Sequence, residues 1–415
     1  MKINTVKGTN DYLPAQAALR DYLQSVILKT YQSHGFDRIM TPALEDIENL
    51  DKSEGGENLN LIFKVLKRGS KLSEAIENQK FQENELADMG LRYDLTLPLS
   101  RYYANNRAKL NYPAKCIQID RVYRAERPQK GRLREFIQCD IDILGSASVT
   151  GEIELIDTTA KALLAIGIKN FIVKISDRRI LKNVLLTAGF EREQLDSVCV
   201  TVDKFDKVGA DGVREELTAK GFAPDAVEKM IAIFGSLPLS IEEVKQYCTD
   251  EEALNSVQTI MNAVQNLSGG AYSIEFDVAL VRGQGYYTGT IFEIQSLDFK
   301  GSIAGGGRYD NLIGKFIGEN VPAVGFSIGF ERIFAILSES GYEIPGKKKL
   351  ALLYEECDIV SAIQKADELR AEFDVALYVR PKKLGKFLNK LEEQGVKGFF
   401  NLGAGDEIRL FENAQ

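Results

Sequence analysis

The stretch that most constrains the fold of this chain runs from Arg121 to Gly145, RVYRAERPQKGRLREFIQCDIDILG. Its first fifteen residues carry six basic side chains and two acidic ones, although the net charge of the whole chain is −8. Pro128–Gly131 predicts a turn, because proline restricts φ and glycine tolerates positive φ. Beyond the turn, apolar residues alternate with Gln138, Asp140 and Asp142, so these three polar side chains share one face of a strand. The stretch therefore predicts two antiparallel strands joined by a basic loop.

Such a hairpin would place arginines and carboxylates around one cleft. That combination suits a ligand that carries both a polyphosphate and an ammonium group. The alternative is an ordinary hairpin whose charged tip is only solvated, since exposed charges often contribute little.

Length and composition limit the other classes of protein. A chain of 415 residues predicts two or three domains. Hydrophobic residues make up 44% and charged residues 27%, which is ordinary for a globular protein. No apolar run reaches the roughly 18 residues that a membrane span needs. The first residues, MKINTVKGTNDYLP, contain no apolar signal core, so we expect a cytoplasmic protein without a membrane partner.

The cysteine and histidine content restricts the chemistry. The five cysteines are scattered singly and form no CxxC pair, which argues against both a zinc site and a disulfide framework. There is one histidine, His34, so catalytic triads and histidine-rich metal sites are not expected. Any catalysis or ligand binding must therefore use Arg, Lys, Asp, Glu, Tyr and backbone groups. The acidic balance argues against nonspecific nucleic-acid binding, whereas a local basic face can still bind RNA.

The first part of the chain predicts a helix over about 15–33 and a short strand over 36–40, and residues 51–90 are polar and irregular with a helical piece near 72–81. Residues 91–103, LRYDLTLPLSRYY, predict a strand that turns into a helix, with Asp94 and Thr96 on one side. Asp94 suits an amino group, and it equally suits a cap for the following helix.

The middle of the chain predicts a helix over 151–168, a strand over 170–175 and a mostly helical block over 177–270. Strands return over 272–296 around RGQGYYTG, where Gly283, Gly285 and Gly289 leave room for a ligand. The triple glycine of IAGGGRYD is neither a P-loop nor GxGxxG, and a tight bend is one interpretation. Arg332 falls in the first turn of a helix after VGFSIG, where it and the backbone N–H groups suit phosphate.

The last part of the chain changes character near Pro345-Gly346. Strands over 350–354, 373–379 and 396–402 alternate with helices over 360–372 and 381–394. This alternation predicts a small α/β domain with a parallel sheet.

Six strings in order make the chain resemble the histidyl-tRNA synthetases, a class II aminoacyl-tRNA synthetase family. They are KGTNDYLP, LRYDLTLPLSRY, VYRAERPQKGRLREFIQCDIDILG, LVRGQGYYTGTIFE, AGGGRYDNL and GFSIGFERI. The resemblance implies an α+β fold, with an antiparallel sheet of six or seven strands flanked by helices, and a homodimer. It implies a catalytic core in residues 1–176 and 271–345, a helical insertion over 177–270, and a C-terminal anticodon-binding-like α/β domain over 346–415 that is possibly truncated.

The resemblance also implies a role for each matching residue. Arg124 and Arg282 would be the catalytic groups at the α-phosphate. The ATP site would contain Arg124, Arg132, Phe136 and Arg332. Histidine would be bound by Asp94, Thr96, Gln138, Asp142, Arg282, Tyr286 and Tyr287. The acceptor end of tRNA would meet Arg127 and Gln129.

The reaction implied is ATP-dependent activation of L-histidine to histidyl-adenylate, followed by transfer to tRNA(His). ATP would arrive with Mg²⁺, and no zinc or other protein-bound metal is expected. Arginines suit this chemistry because the substrate carboxylate is the nucleophile and only developing phosphoryl charge needs stabilising.

Three features depart from the usual pattern of the family, and two other interpretations of the chain are possible. Gly285 stands where the family usually has an acidic residue, Asp142 stands where many bacterial members have Glu, and the C-terminal domain stops early. The main alternative is a non-catalytic paralogue, the regulatory subunit of ATP phosphoribosyltransferase, which would lack the ATP arginines and the C-terminal domain. A third interpretation is an RNA- or nucleotide-sensing module without chemistry. The arginines at 124, 132, 282 and 332 and the residues after Pro345 favour the synthetase.

Overall fold

A computed structural model of the chain describes residues 3–50, 60–127, 132–281, 286–299, 301–405 and 407–411. The turn predicted at Pro128–Gly131, and Gly283 and Gly285, lie outside these ranges.

Helices form close to where the sequence periodicity predicts them, including those predicted over 15–33, 151–168, 360–372 and 381–394. Between Arg178 and Ser268 the described chain is almost entirely helical, as predicted for that block. The helices span Pro14–Ser33, Ile47–Leu50, Ser70–Glu77, Glu83–Leu86, Thr96–Asn106, Thr150–Ala165, Arg178–Ala188, Leu195–Val202, Phe205–Ala219, Pro224–Phe234, Ile241–Val244, Glu251–Ser268, Gly314–Ile317, Phe330–Glu339, Ile359–Leu369 and Leu384–Glu393.

The strands build one large and two small sheets. They are β1 Asp37–Arg38, β2 Leu44–Asp46, β3 Lys64–Leu66, β4 Ala87–Leu91, β5 Ala114–Tyr123, β6 Glu135–Leu144, β7 Phe171–Asp177, β8 Ser273–Phe276, β9 Thr290–Ser296, β10 Ser302–Arg308, β11 Ala323–Gly329, β12 Lys348–Tyr354, β13 Phe373–Val379, β14 Gly398–Asn401 and β15 Ile408–Leu410.

The large sheet has the strand order β1-β5-β6-β11-β10-β9-β7-β8. Its six inner strands pair antiparallel, which confirms the predicted antiparallel sheet. The two outer strands, β1 and β8, pair parallel to their neighbours. Sequence reasoning did not predict these parallel edges, because a two-residue strand such as β1 carries no periodicity. The predicted hairpin of β5 and β6 lies near one side of this sheet, with Tyr123 opposite Glu135.

The triple glycine lies inside strand β10, so the interpretation as a tight bend is wrong. A Cβ on Gly306 would lie 2.0 Å from the carbonyl oxygen of Gly325 on β11. A Cβ on Gly307 would lie 2.7 Å from the carbonyl oxygen of Thr290 on β9. The glycines are therefore required where three strands pack too closely for side chains.

A buried ion pair fixes the end of β10. Both carboxylate oxygens of Glu152 accept hydrogen bonds of 2.7 Å from Arg308, and Glu152 is fully buried. Arg308 also donates to the carbonyl oxygen of Ser146. The arginine that follows the glycine run is thus a structural group that ties β10 to the helix Thr150–Ala165.

The chain divides into two compact units, Met1–Asp11 with Leu23–Ser340, and Tyr12–Tyr22 with Gly341–Gln415. The second unit contains the sheet β13-β12-β14-β15. Strands β13, β12 and β14 are parallel, as predicted, and β15 adds an antiparallel edge. The exact four-part domain division stays a prediction. Within the described ranges, no helix has the length and apolar content needed to cross a bilayer.

Candidate active site

A cavity of about 740 Å³ opens over β6, β11, β10 and β9 in the first unit. This volume lies within the range of small-molecule sites. The cavity is lined by most of the residues selected from the sequence: Thr96, Arg124, Arg132, Phe136, Gln138, Asp142, Tyr286, Tyr287 and Arg332. Residues from four separate segments of the chain are therefore brought together, because the sheet places β6 between β5 and β11.

Arg124 directly follows β5 and is held between two aromatic rings. Its guanidinium carbon lies 4.3 Å from the centroid of the Tyr93 ring and 5.0 Å from that of Phe136. Its Nε donates a hydrogen bond of 3.2 Å to the carbonyl oxygen of Tyr93. These contacts fix the plane of the guanidinium, as an arginine that binds carboxylate or phosphate requires.

Arg132 and Arg127 are the exposed members of the basic loop. Arg132 pairs with Glu126 at 3.3 Å, and its side chain is 59% exposed. Arg127 is also exposed. Gln129, predicted beside Arg127 at the tRNA end, lies outside the described residues.

Arg332 is the third residue of the helix Phe330–Glu339, which follows β11 without a break. It donates a hydrogen bond to the carbonyl oxygen of Ser302 at the start of β10. Gly329 pairs with Gln138, and Ala304 pairs with Ile328. This register places Arg332 at the same end of the cavity as Phe136 and Arg124, so the positive charges gather at that end.

The opposite end of the cavity is built around Asp142. The Tyr309 hydroxyl donates a 2.5 Å hydrogen bond to Asp142 Oδ1. Burial raises the pKa of Asp142 to about 7, and the Tyr309 hydrogen bond partly opposes this rise. Tyr309 lies in the AGGGRYD string, yet it was not selected from the sequence, because only the pairing of β10 with β11 brings it to β6.

Three tyrosines surround this end. The ring centroids of Tyr286 and Tyr287 are 4.9 Å apart, and those of Tyr286 and Tyr309 are 5.8 Å apart, both in edge-on arrangements. Tyr286 is buried, and desolvation raises its pKa well above the usual value, with a smaller lowering from a hydrogen bond with Thr96. The walls are therefore flat and aromatic, which suits a planar side chain.

Asp94 accepts a hydrogen bond at the start of a helix and is not among the residues that line the cavity. Its Oδ1 accepts a 3.1 Å hydrogen bond from the backbone N–H of Leu97, in the first turn of the helix Thr96–Asn106. The expected strand alternation of Asp94 and Thr96 is wrong, because β4 ends at Leu91. Asp94 is nonetheless buried, and its charge contributes to raising the pKa of Asp142, so its carboxylate lies within electrostatic reach of the cavity.

Gln138 and Asp140 occupy the middle of the cavity floor. Gln138 Nε2 donates a 3.2 Å hydrogen bond to Ser327 Oγ on β11. Asp140 lines the cavity and is 4% exposed. Burial raises the pKa of Asp140 well above its usual range, and the nearby Asp142 adds to this rise. The sequence placed Asp140 on the correct face but assigned it no role.

Arg282, the second predicted catalytic arginine, lies outside the described residues, and so does Gly285, the departure noted in RGQGYY.

Comparison with known proteins gives consistent findings. A family model described as histidyl-tRNA synthetase matches residues 8–333. The histidine–tRNA ligase of Leifsonia xyli is 40% identical, with 96% of this chain and 94% of that protein covered. The histidine–tRNA ligase of Cytophaga hutchinsonii is 35% identical, with 97% of this chain and 96% of that protein covered.

Solved structures show the same fold. A histidyl-tRNA synthetase from Nostoc sp. PCC 7120 superimposes with a TM-score of 0.78 at 26% identity, covering 96% of this chain and 91% of that one. A Bacillus halodurans protein titled ATP phosphoribosyltransferase regulatory subunit/histidyl-tRNA synthetase gives a TM-score of 0.76 at 20% identity, with 97% of each chain covered. The second likeness concerns the fold alone.

Proposed function

The chain belongs to the histidyl-tRNA synthetase family of aminoacyl-tRNA ligases, and on that premise we propose that it activates L-histidine with ATP and transfers it to tRNA(His). The main support for this proposal is the way that charged groups are distributed along one cavity. Arg124 and Arg332 lie at one end, whereas Asp142 and the tyrosines lie at the other. An amino acid fits along this gradient with its carboxylate towards the arginines.

The first step would occur at the arginine end. A carboxylate oxygen of histidine attacks the α-phosphorus of ATP, the new O–P bond forms, and the bond to the β-phosphate oxygen breaks, so pyrophosphate leaves. Arg124 would hold the attacking carboxylate and an α-phosphate oxygen, since its guanidinium is always charged and can form paired hydrogen bonds. Phe136 would support the adenine ring, and Arg132 and Arg332 would hold the outer phosphates of ATP.

Arg282 is proposed as the second arginine at the α-phosphate, on the strength of the RGQGYY string alone. Mg²⁺ is expected to arrive bound to ATP. Glu293 and Glu331 line the same cavity and offer the oxygen atoms that Mg²⁺ prefers. The arginines would act by stabilising charge that develops on the phosphoryl oxygens, a contribution of several kcal/mol in enzymes of this kind, roughly 3 per well-placed donor.

Selection of histidine would occur at the Asp142 end. Asp142 accepts from Tyr309 and is positioned to accept also from an imidazole N–H, with Tyr286 and Tyr287 against the ring. A site that pairs polar atoms of its substrate rejects apolar competitors by roughly 10⁴-fold or more, because its buried polar groups would lose their partners.

The second step would use tRNA. A ribose hydroxyl at its 3′ end attacks the carbonyl carbon of the adenylate, loses its proton, and releases AMP. Arg127 and Gln129 are proposed to meet the acceptor end. The C-terminal unit is proposed to bind the anticodon side, since Lys382, Lys383, Lys386 and Lys390 are all exposed around the helix Leu384–Glu393.

A homodimer is proposed from the family resemblance. The helix, strand and proline over residues 15–42 resemble the first class II motif, which usually forms the dimer interface. Large apolar side chains are exposed at and just after the end of this segment, including Met40 at 72% and Leu44 at 48%. Sedimentation at micromolar concentration tests this, and a monomer at that concentration contradicts it.

The test of the proposed function is exchange of labelled pyrophosphate into ATP. Exchange is expected only with L-histidine, and tRNA(His) is expected to be charged in the same preparation. Exchange absent at high enzyme concentration, with histidine still bound, favours a regulatory, non-catalytic role. The second compact unit and the 35–40% identity to proteins named histidine–tRNA ligase support the catalytic alternative.

A further inference from the structure

A short segment, residues 92–96, runs from the end of β4 into the next helix and forms part of the cavity wall. Two of its side chains, Tyr93 and Thr96, line the cavity. The Tyr93 ring lies against Arg124, with 4.3 Å between the ring centroid and the guanidinium carbon. A hydrogen bond joins Thr96 to Tyr286. The 92–96 segment therefore contacts residues at both ends of the cavity, and its position affects both.

Gln118 on β5 holds the middle of this segment. Its Nε2 donates a 2.9 Å hydrogen bond to the carbonyl oxygen of Leu95. Gln118 pairs with Asp140 on β6, so its side chain lies on the cavity side of the sheet, yet it is only 2% exposed. Gln118 is not among the described residues that line the cavity. It can therefore act on the site only through the 92–96 segment.

The other end of the Gln118 amide is fixed by Thr41. Thr41 Oγ1 donates a 3.0 Å hydrogen bond to Gln118 Oε1. The carbonyl oxygen of Thr41 accepts a 2.7 Å hydrogen bond from Nη1 of Arg92, the first residue of the segment. The amide thus has a donor on one side and an acceptor on the other, and only one orientation forms both bonds. A buried network whose members are all satisfied is rigid.

The hydrogen bond from Gln118 is not needed to satisfy the backbone. The carbonyl oxygen of Leu95 already accepts a 3.1 Å hydrogen bond from the N–H of Leu99, as the first acceptor of the helix. Gln118 adds a second donor to this oxygen. The added bond joins the start of the helix to β5, and so it fixes where the segment lies relative to the strand that leads to Arg124.

We propose that Gln118 is a positioning residue for the activation of histidine, because it sets where the 92–96 segment places Tyr93 and Thr96 in the cavity. Gln118 takes no part in the chemistry and does not touch a substrate. The inference deepens the proposed function and rests on it.

Gln118→Met tests the proposal in the full-length protein by pyrophosphate exchange. Methionine has a similar length and flexibility but cannot form either hydrogen bond. The KM for histidine is expected to rise about 3- to 10-fold, the range for one hydrogen bond. The KM for ATP is expected to change less than about twofold, because Phe136 and Arg332 belong to other elements. Kinetics are measured well below the unfolding temperature of each variant, so that a loss of stability alone does not change them.

Variants of Thr41 test the same network without changing Gln118. Thr41→Val removes the hydroxyl and is expected to raise the KM for histidine about 2- to 5-fold. Thr41→Ser retains the hydroxyl and is expected to behave as the wild type does. The double variant Thr41→Val with Gln118→Met is expected to match Gln118→Met alone, because the two residues act through one network. This pair also provides the test if Gln118→Met folds poorly.

Asn183→Leu is the matched control. Asn183 has the same bonding pattern as Gln118: its Nδ2 donates a 3.0 Å hydrogen bond to the carbonyl oxygen of Arg179, and its Oδ1 accepts a 3.0 Å hydrogen bond from Thr249. Asn183 lies in the helical block, in the helix Arg178–Ala188. The variant loses two equivalent bonds and is expected to leave both KM values unchanged.

The outcomes separate positioning from a structural role. A lower unfolding temperature of Gln118→Met with an unchanged KM for histidine overturns the proposal, and so do equal increases in both KM values. Thr41→Ser as impaired as Thr41→Val also contradicts it. If the wild type exchanges no pyrophosphate, the proposed function fails, and calorimetric affinity for L-histidine in the same variants then tests Gln118. A loss of about 3- to 10-fold in Gln118→Met upholds its role in the histidine site, and no loss overturns it.

Discussion

The hydroxyl of Tyr309, at the end of the glycine strand, donates a 2.5 Å hydrogen bond to Asp142 Oδ1 across the sheet. The two residues are 167 positions apart in the chain. They meet because β10 and β6 both pair with β11, and because Gly325 on β11 leaves space between them. A Cβ on Gly325 would lie 2.0 Å from Asp142 Oδ1 and 3.3 Å from the Tyr309 ring. The Asp142 end of the cavity is therefore defined by the Tyr309 donor, the Asp142 acceptor and the absence of a side chain at Gly325.

Tyr309→Phe is expected to raise the KM for histidine and to leave the KM for ATP nearly unchanged. The change removes the donor, which raises the pKa of Asp142 further and leaves its ring-binding oxygen poorly oriented. The KM for histidine in pyrophosphate exchange should rise about 10-fold or more, as for other hydrogen bonds to charged groups, while the KM for ATP stays nearly constant. Tyr378→Phe, in the second unit, is the control. Equal increases in both KM values would contradict the assignment.

Gly325→Ala is expected to abolish histidine-dependent exchange, because the methyl group would displace the Asp142 carboxylate. Gly385→Ala is the matched control, since a Cβ there meets nothing within 4 Å. Gly385 lies in the helix Leu384–Glu393, where alanine is favoured by about 0.5–1 kcal/mol. Near-normal exchange in Gly325→Ala would show that Asp142 is not needed in its observed position.

The kcat/KM for histidine is expected to increase as the pH rises through about 7. Burial raises the pKa of Asp142 to about 7, so below that pH the free site holds a protonated acid and above it a carboxylate that can accept from the ring. The expected profile of kcat/KM for histidine is an acidic limb near pH 7 followed by a plateau.

Free histidine also titrates near 6.5, so the same profile is measured with triazolylalanine, whose ring stays neutral over this range. If the acidic limb disappears with the analogue, it arises from titration of the substrate and not of Asp142.

The raised pKa of Asp142 also affects the stability of the fold, with a definite sign. Because the folded pKa lies above 3.8, the value for a solvent-exposed Asp carboxyl, the contribution of Asp142 to stability is complete at low pH and is lost as pH rises towards 7.

Arg124→Lys is expected to lower kcat/KM for exchange by about 10²-fold or more, since an ammonium group cannot form paired hydrogen bonds or stack between two rings. The rings concerned are those of Tyr93 and Phe136. Arg121→Lys serves as the control, because Arg121 is 62% exposed and pairs with Glu135 at the surface. A change confined to the KM for histidine would mean that Arg124 does not act on the transition state.

Charge reversal on the C-terminal helix is expected to separate the two steps. Lys386→Glu with Lys390→Glu should reduce aminoacylation of tRNA and its dependence on salt, because fewer phosphates are neutralised. Pyrophosphate exchange should remain unchanged, since tRNA is absent from that step. Lys80→Glu with Lys229→Glu, two exposed lysines of the first unit, provides a comparison of equal charge change. A parallel loss of exchange would indicate a folding role for this helix.

Local sequence patterns were enough to predict the long helices, the β5–β6 hairpin and the strand–helix alternation of the C-terminal unit. In each, the hydrophobic period and the turn residues act within one segment. The face shared by Gln138, Asp140 and Asp142 was predictable for the same reason, because side chains on a strand alternate whatever the strand pairs with.

The sequence by itself therefore determined which residue types could meet a phosphate and an amino acid, and which of them share a strand. Only the tertiary structure decided that Tyr309 supports Asp142, that Asp94 lies before a helix and not in a strand, and that the glycine run is a strand. These outcomes depend on pairing between segments far apart in the chain. The energy of such pairing comes from cross-strand packing and burial, which no local pattern of residues encodes.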